Sequence, residues 1–227
     1  MKFIFLRHGK TEYNEQGLTQ GWCDSPLSKT GLKQASYTKE ALKDVVIDYA
    51  YCSPSGRARQ TASIVLGNRD ISVMIDDRLK EINFGIFEEK DENMRKEKNI
   101  ESQNWYQDLD MDYRSFQGGD IREVIKQELE LLGNIYLSKP DKSSVLIAGH
   151  GCSLTGLVRT ICKEELDEYY PDFKCFANAG VVIVDYDGTF HIEKIIEPVV
   201  VLESAEKGHS ESGKKGHFES TEKGHFS

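Results

Sequence analysis

Apolar positions along the chain follow two different periods. Four short runs, rich in β-branched and aromatic residues, have the character of buried strands at residues 2–6, 49–52, 71–75 and 145–148. Apolar residues recur with helical spacing over residues 29–43, 55–66, 120–137 and 153–161. Strands that alternate with helices predict an α/β domain of three layers, with a mainly parallel sheet and helices on both faces.

Near residue 190 the pattern changes to a hairpin. The stretch VVIVDYDGTFHIEKI places Asp187 and Gly188 between two strand-like runs, and Asp-Gly is a strong signal for a two-residue turn. A hairpin adds antiparallel strands at one edge. The predicted sheet is therefore mixed.

Residues 87–118 are highly charged and then aromatic, without a strand signal, and they predict an inserted helical lid. The charges have both signs, which favours a solvated helix face over a binding surface. The pattern leaves open whether the lid aromatics line a pocket or pack the lid onto the body. They are Trp105, Tyr106, Tyr113 and Phe116.

A single domain is predicted for residues 1–203, followed by a tail, 204–227, that is disordered or appended. The tail repeats Lys-Gly-His every eight residues among Gly, Ser and charged residues, a composition that cannot build a core. Its three histidines, His209, His217 and His225, could also bind a metal weakly, and this is the less favoured interpretation.

Composition limits the classes of function. A net charge of -9 argues against a general nucleic-acid surface, so an anion must be held by a local basic pocket. Five cysteines without a C-x-x-C pair favour reduced thiols over disulfides or a zinc site. The apolar run in MKFIFLRHG is too short for a signal peptide, and no run has the length of a membrane span. We therefore expect a cytoplasmic protein without a membrane partner.

Two of the predicted strands end in the same way. Arg7, His8 and Gly9 follow the first, and His150 and Gly151 follow the run VLIAG. The carboxyl ends of parallel strands meet at one edge of a sheet, where α/β proteins bind ligands. A single strand-end histidine is often a structural hydrogen-bonder, but two together suggest a site.

Other strand ends supply charge that suits a phosphate. Arg57 and Arg59 begin the helix after the second strand, and a guanidinium can donate two parallel hydrogen bonds to an anion. Asp76, Asp77 and Glu81 follow the third strand, and by position any of them could be an acid or a solvated loop charge. Two imidazoles, two guanidinium groups and a carboxyl group together indicate phosphoryl transfer.

These residues also carry a resemblance to a known family. LRHGKTEYN resembles the signature R-H-G-x-T-x-x-N of the histidine phosphatase superfamily, the phosphoglycerate mutase-like group, and particularly its phosphatase branch. QGWCDSPLSKTGLKQA, CSPSGRARQTA, RLKEINFGIFE and AGHG are similar to its further motifs, in the same order, from residue 2 to about residue 196. Residues 1–203 are thus expected to be a histidine phosphatase-like domain.

The resemblance implies a role for each matching residue. His8 would be the nucleophile, Arg7, Arg57 and His150 would bind the transferred phosphoryl group, and Glu81 would be the proton donor. Asn14 matches a phosphate-holding position, whereas Arg59 falls on a variable one. Gly9 and Gly151 either let the backbone approach the phosphate or are simple turn residues. Because the cations neutralise the phosphate, the resemblance implies neither metal nor cofactor.

The expected function is a phosphatase that hydrolyses small-molecule phosphomonoesters through a phosphohistidine at His8. The alternatives are a phosphoglycerate mutase and, from a different class, a non-catalytic phosphate-binding module. The expected partner is a small phosphate ester, with neither nucleic acid nor membrane, and a homodimer is an option. Departures from the family pattern at Glu89 and at GGDI, residues 118–121, affect the entrance of the lid, and Cys152 replaces a small residue.

Overall fold

The computed structural model describes residues 1–98, 100, 102, 104–198 and 218–222. Its centre is a mixed sheet of seven strands in the order β3-β2-β4-β1-β5-β6-β7. The strands are β1 (Lys2–Arg7), β2 (Tyr49–Cys52), β3 (Val73–Ile75), β4 (Ser144–Gly149), β5 (Val181–Tyr186), β6 (Phe190–Pro198) and β7 (Phe218–Glu222). Strands β1 to β4 are parallel, and the pairs β1–β5, β5–β6 and β6–β7 are antiparallel.

The register of the two central strands creates the functional edge. In the parallel pair of β1 and β4, Arg7 lies opposite Gly149. The residues that follow, His8 and His150, therefore leave the sheet side by side. This outcome confirms the expectation that the two strand-end histidines meet.

Helices cover both faces of the sheet, as predicted. The helices of the described residues are α1 (Glu12–Glu15), α2 (Lys29–Ala41), α3 (Gly56–Leu66), α4 (Asn93–Glu97), α5 (Trp105–Asp108), α6 (Ile121–Ser138), α7 (Gly151–Ile161) and α8 (Lys163–Tyr169), of which α2, α3, α6, α7 and α8 pack on the sheet. Phe3 and Phe5 of β1 pack in a core with α6, α7 and α8, whereas Ile4 and Leu6 pack in a second core with α2 and α3. Side chains alternate between the faces of a strand, so an uninterrupted apolar run is what a strand buried on both faces requires.

The predicted elements are present, with small shifts at their ends. The hairpin turns at Gly188, whose φ of 122° favours glycine. Helices α1 and α8 were not predicted, because each is too short for its apolar positions to show a helical period. A carboxyl-rich segment such as KEELDEY, which forms α8, carries one buried apolar residue, Leu166.

The inserted segment packs on the body through a small cluster of apolar residues. Tyr113 is fully buried and packs edge-on against Phe84 and Phe87, with ring centroids 5.1 and 6.0 Å apart. Trp105 and Phe116 pack against the same cluster. Tyr113, Trp105 and Phe116 thus pack the lid onto the body, whereas Tyr106 lies outside this cluster and packs edge-on against Trp105. The segment contains α4 and α5 and a short 3₁₀ turn at Arg114–Phe116.

The expectation of a disordered or appended tail, together with its three histidines, falls mostly outside the described residues and stays a prediction. Within the tail the structure describes only β7, which pairs with β6. Of the helices that the structure describes, none is both long enough and apolar enough to cross a membrane.

Candidate active site

His8 lies directly after β1 and is 4% exposed. Its Nδ1 lies 2.8 Å from the carbonyl oxygen of Gly9. Because a carbonyl oxygen can only accept, Nδ1 carries the proton, and Nε2 of the neutral ring keeps the lone pair. A Cβ at residue 9 would come within 2.7 Å of the Gly31 carbonyl oxygen, so the close passage of these two segments requires glycine. The Gly9 N–H donates to the Thr61 hydroxyl at 3.0 Å, which ties the segment to α3.

Arg57 is fully buried in the first turn of α3. Its Nη1 donates to the Cys23 carbonyl at 2.8 Å and to the Asp24 carboxylate at 2.9 Å. Its Nη2 donates to the Gly21 carbonyl at 2.7 Å and to Nδ1 of His150 at 3.0 Å. The loop from 21 to 24 therefore fixes this guanidinium, and the guanidinium in turn fixes His150.

The second histidine is held as a defined tautomer. A guanidinium only donates, so Nδ1 of His150 accepts from Arg57 and its Nε2 carries the proton. Nε2 then donates to the hydroxyl of Ser53, 2.8 Å away. The rings of His8 and His150 are 5.4 Å apart between centroids.

Burial and nearby cations favour uncharged imidazoles. Burial is the main cause that lowers the pKa of His8 well below its usual value; the charges of Arg57 and Arg7 add to it, and the hydrogen bond to Gly9 opposes it. The pKa of His150 is lowered well below its usual value by burial, then by the charges of Arg57, His8 and Arg7. Both rings are therefore neutral near pH 7, as nucleophilic attack by His8 would require.

Two guanidinium groups offer donors around the histidines. Arg7 donates through Nη1 to the carbonyl oxygen of Phe176. The Nε atoms of Arg7 and Arg57 are buried and have no hydrogen-bond partner within the described residues. A Cβ at Gly151 would lie 2.9 Å from Cζ of Arg7, so that guanidinium lies directly against the start of α7. Guanidinium N–H donors without a partner in the protein suit a phosphate.

Glu81 is a buried carboxyl group at the N-terminus of α7. It accepts the backbone N–H groups of Cys152, Ser153 and Ile82 at 2.8, 2.9 and 3.0 Å. Burial raises the pKa of Glu81 above its usual value, and these hydrogen bonds with the charge of Arg57 oppose the shift without cancelling it. Such a balance suits a group that must both give and take a proton.

The other two candidate acids differ from Glu81. Asp76 forms an ion pair with Arg78 at 2.6 Å, and the hydrogen bond from Arg78 is the main cause that lowers the pKa of Asp76. The side chain of Asp77 is 78% exposed and lies 2.9 Å from Nζ of Lys80. Of the three carboxyl groups, only Glu81 is buried.

The sequence interpretation also named Asn14 and Arg59. Asn14 belongs to the capping box of α1, where its Oδ1 accepts the Thr11 N–H at 3.2 Å. Its role as a phosphate ligand stays a prediction. Arg59 is exposed, in agreement with the expectation of a surface position.

Glu88 is a structural residue of the site to which the sequence interpretation gave no role. Its carboxylate accepts the backbone N–H groups of Gly21, Trp22, Cys23 and Phe84 at 2.9 to 3.1 Å. We call this arrangement the Glu88 clasp. It holds the same loop whose carbonyls hold Arg57. All four donors are backbone N–H groups, so the side chains along the sequence gave no sign of this arrangement.

Glu128 was also missed. This residue of α6 is 1% exposed, and neither of its carboxyl oxygens has a hydrogen-bond partner within the described residues. Burial, and then the charge of Glu81, raises the pKa of Glu128 well above its usual value, and the nearby hydroxyl of Ser153, although outside hydrogen-bond geometry, opposes the shift. One feature of the sequence could have identified Glu128: it is an acidic residue within the apolar stripe of α6, between Ile125 and Leu132.

Comparison with known proteins agrees with this geometry. The family model of the histidine phosphatase superfamily (branch 1) matches residues 3–195. The chain belongs to the histidine phosphatase superfamily. A relative from Escherichia fergusonii, named "Probable phosphoglycerate mutase GpmB", is 32% identical over 71% of this chain and 74% of its own length.

Several solved structures share the fold. YhfR of Bacillus stearothermophilus is 33% identical, with a TM-score of 0.72 over 84% of this chain and 94% of its own. A phosphoglycerate mutase from Bacillus anthracis is 28% identical, with a TM-score of 0.72 over 85% of this chain and 91% of its own. The mycobacterial glucosyl-3-phosphoglycerate phosphatase is 22% identical, with a TM-score of 0.73 over 84% and 96% of the two chains, and this likeness concerns the fold alone. Proteins that share this fold thus include ones named as phosphatases and as mutases.

Proposed function

We propose that the protein is a phosphatase that hydrolyses small-molecule phosphomonoesters through a phosphohistidine at His8. The observation that carries the proposal is the environment of His8. A neutral imidazole with its lone pair at Nε2 lies among the buried guanidinium donors of Arg7 and Arg57, with a second imidazole beside it. A binding-only protein needs the cations but gains nothing from a nucleophile and a buried acid at the same place.

In the first step, Nε2 of His8 attacks phosphorus, and the bond from phosphorus to the ester oxygen breaks. Arg7, Arg57 and His150 stabilise the charge on the phosphoryl oxygens, while Glu81 gives its proton to the leaving oxygen. Nδ1 keeps its proton and its hydrogen bond to the Gly9 carbonyl oxygen throughout, so the ring does not need to reorient. Fixed donors of this kind stabilise the transition state without reorganisation.

In the second step, a water molecule gives a proton to the Glu81 carboxylate, and its oxygen attacks phosphorus. The bond from phosphorus to Nε2 breaks, which releases inorganic phosphate and returns His8 to its neutral form. Glu81 is protonated again, ready for the next ester. The raised pKa of Glu81 helps the first step, and its three N–H donors stabilise the carboxylate that the second step needs.

The charges at the entrance favour hydrolysis over mutase chemistry. A mutase must retain a substrate with a second anionic group. The cavity next to His150 and Glu81 contains Lys80 as a further cation among its described lining residues, and Lys80 is already 2.9 Å from the Asp77 carboxylate. Asp24 adds a negative charge at the same entrance, although it is paired with Arg57. Lys80, the cation among the described residues that line this cavity, is therefore already paired.

The intermediate can be tested directly. Brief exposure to a ³²P-labelled phosphomonoester should label the wild-type protein with phosphate that is lost in acid and survives alkali, as expected for a phosphoramidate. The His8→Ala variant should remain unlabelled, and the Arg59→Ala variant serves as a control outside the site. Full labelling of His8→Ala would refute the proposal.

Product analysis separates the alternatives. A phosphatase releases inorganic phosphate from several esters, whereas a mutase interconverts 2- and 3-phosphoglycerate without net release. A phosphate-binding module would do neither. We expect phosphate release to survive both a chelator and deletion of the tail after Ser204; activity that is lost with the chelator and restored by a divalent metal would contradict the metal-free mechanism.

A further inference from the structure

An exposed tryptophan lies at the entrance of the candidate active site. The cavity outside His150 and Glu81 has a volume of about 370 Å³, which suits a small ligand. Trp22 lines it and is 60% exposed, whereas the histidine and the acid at its inner end are buried. His8 is not among the lining residues, but an ester whose phosphorus lies at His8 and whose leaving oxygen reaches Glu81 would direct its leaving group toward this space.

Trp22 is held through its indole and through its backbone, although its side chain is exposed. Its Nε1–H donates to the carbonyl oxygen of Glu81 at 2.9 Å. Its backbone N–H donates to the carboxylate of Glu88 at 2.9 Å, as part of the Glu88 clasp. Isolated exposed apolar residues are common, but a freely placed one has no need of these anchors. A ring whose position is already fixed loses little conformational entropy when a ligand stacks on it.

The charges around the ring disfavour an anionic leaving group. Nζ of Lys80 lies 5.4 Å from the centroid of the Trp22 ring and 2.9 Å from the Asp77 carboxylate. The Asp24 carboxylate pairs with Arg57 and accepts the Gly56 N–H at 2.6 Å. Among its described lining residues, the entrance therefore offers an oriented aromatic surface and charges that are already paired.

We propose that Trp22 is a stacking platform for the leaving group, and that the preferred substrates are phosphate monoesters whose leaving alcohol carries an aromatic ring and no second anionic group. This inference rests on the proposed phosphatase function. It adds the chemical class of the substrate and the residue that selects it. Stacking of a planar ring on an aromatic side chain contributes on the order of a 10-fold gain in affinity or more.

The test compares benzyl phosphate, butyl phosphate and 3-phosphoglycerate. The first two are esters of primary alcohols, so they differ mainly in the ring, and the third carries a second anion. Wild type should prefer benzyl to butyl phosphate by about 10-fold in kcat/KM, and 3-phosphoglycerate should be the poorest. Trp22→Ala should remove the preference by raising KM for benzyl phosphate while butyl phosphate changes little, and Trp22→Phe should retain part of it. Tyr169→Ala, an exposed aromatic on α8, is the matched control.

A second measurement does not depend on turnover. The chain has two tryptophans, so in a Trp105→Phe variant Trp22 is the sole indole fluorophore. Titration with benzylphosphonate should change its emission, and butylphosphonate should change it far less. Equal responses to the two phosphonates would refute the platform.

The kinetic outcomes distinguish the two proposals. Equal loss of kcat/KM for benzyl and butyl phosphate in Trp22→Ala would mean that the residue only maintains the loop around Arg57. A wild-type preference for 3-phosphoglycerate would also overturn the inference, even though hydrolysis itself would stand. If wild type released phosphate from none of the esters, the phosphatase proposal would fail and the platform would fail with it.

Discussion

The Glu88 clasp gives the sharpest prediction about how the fold supports the site. Both carboxylate oxygens of Glu88 are used: Oε1 accepts from Trp22 and Phe84, and Oε2 accepts from Gly21 and Cys23. Glu88→Gln keeps one oxygen and replaces the other with an NH₂ group that can only donate. At least two backbone N–H groups then lose their acceptor.

The structure sets the expected magnitude. A buried N–H without an acceptor costs about 1–3 kcal/mol, so two give about 2–6 kcal/mol. Glu88 is half-buried, so water can replace part of the lost hydrogen bonds to the backbone N–H groups. We therefore expect the free energy of unfolding to fall by about 2–3 kcal/mol. Because the loop also holds Arg57 through the carbonyls of Gly21 and Cys23, kcat/KM should fall by about 10-fold or more.

Urea unfolding and steady-state kinetics at pH 7 would measure both effects. Glu89→Gln is the matched control, because it makes the same chemical change one residue away on an exposed side chain. Burial opposes ionisation of Glu88, but the hydrogen bonds from Cys23, Phe84 and Trp22 outweigh it and lower the pKa of Glu88. The stabilisation should therefore be complete at neutral pH and lost as the pH falls through that lowered pKa. Equal stabilities for the two variants would refute the clasp, and normal kcat/KM in a destabilised Glu88→Gln would refute its link to Arg57.

Three more predictions follow from buried or crowded groups. Because burial and Glu81 raise the pKa of Glu128, the folded protein keeps a proton that the unfolded chain releases above about pH 4.3. Relative to Glu128→Gln, the free energy of unfolding of wild type should therefore fall by up to about 1.4 kcal/mol per pH unit above that pH. Parallel pH profiles of the two proteins in urea unfolding from pH 5 to 7 would contradict this. Gly151→Ala should lower kcat/KM by about 10-fold or more, since its Cβ would lie 2.9 Å from Cζ of Arg7, whereas Gly133→Ala in α6, with open space around it, should leave kcat/KM unchanged. Glu81→Gln should slow phosphorylation by an alkyl phosphate by about 10²- to 10⁴-fold, and much less by p-nitrophenyl phosphate, whose leaving group needs no proton; equal losses in single-turnover experiments would exclude Glu81 as the acid.

The sheet and its helices could be predicted because each is a repeating pattern. An apolar run such as residues 3–6 has one stable solution, a strand buried on both faces, and β1 has that environment. Short or irregular parts gave no such signal. The charged and aromatic lid forms α4, α5 and a small core around Tyr113, because a few distant contacts outweigh its weak local preferences.

The sequence by itself determined which groups could carry phosphoryl chemistry and which strands bring them to one edge of the sheet. Arg7, His8 and His150 follow strand ends, and adjacent parallel strands end together whatever surrounds them. The tertiary structure alone decided the state of these groups. Whether a carboxyl group such as Glu81 keeps its proton, and whether Glu88 holds a loop, depends on desolvation and on backbone donors from distant segments. These causes act through space, so the order of residues along the chain does not reveal them.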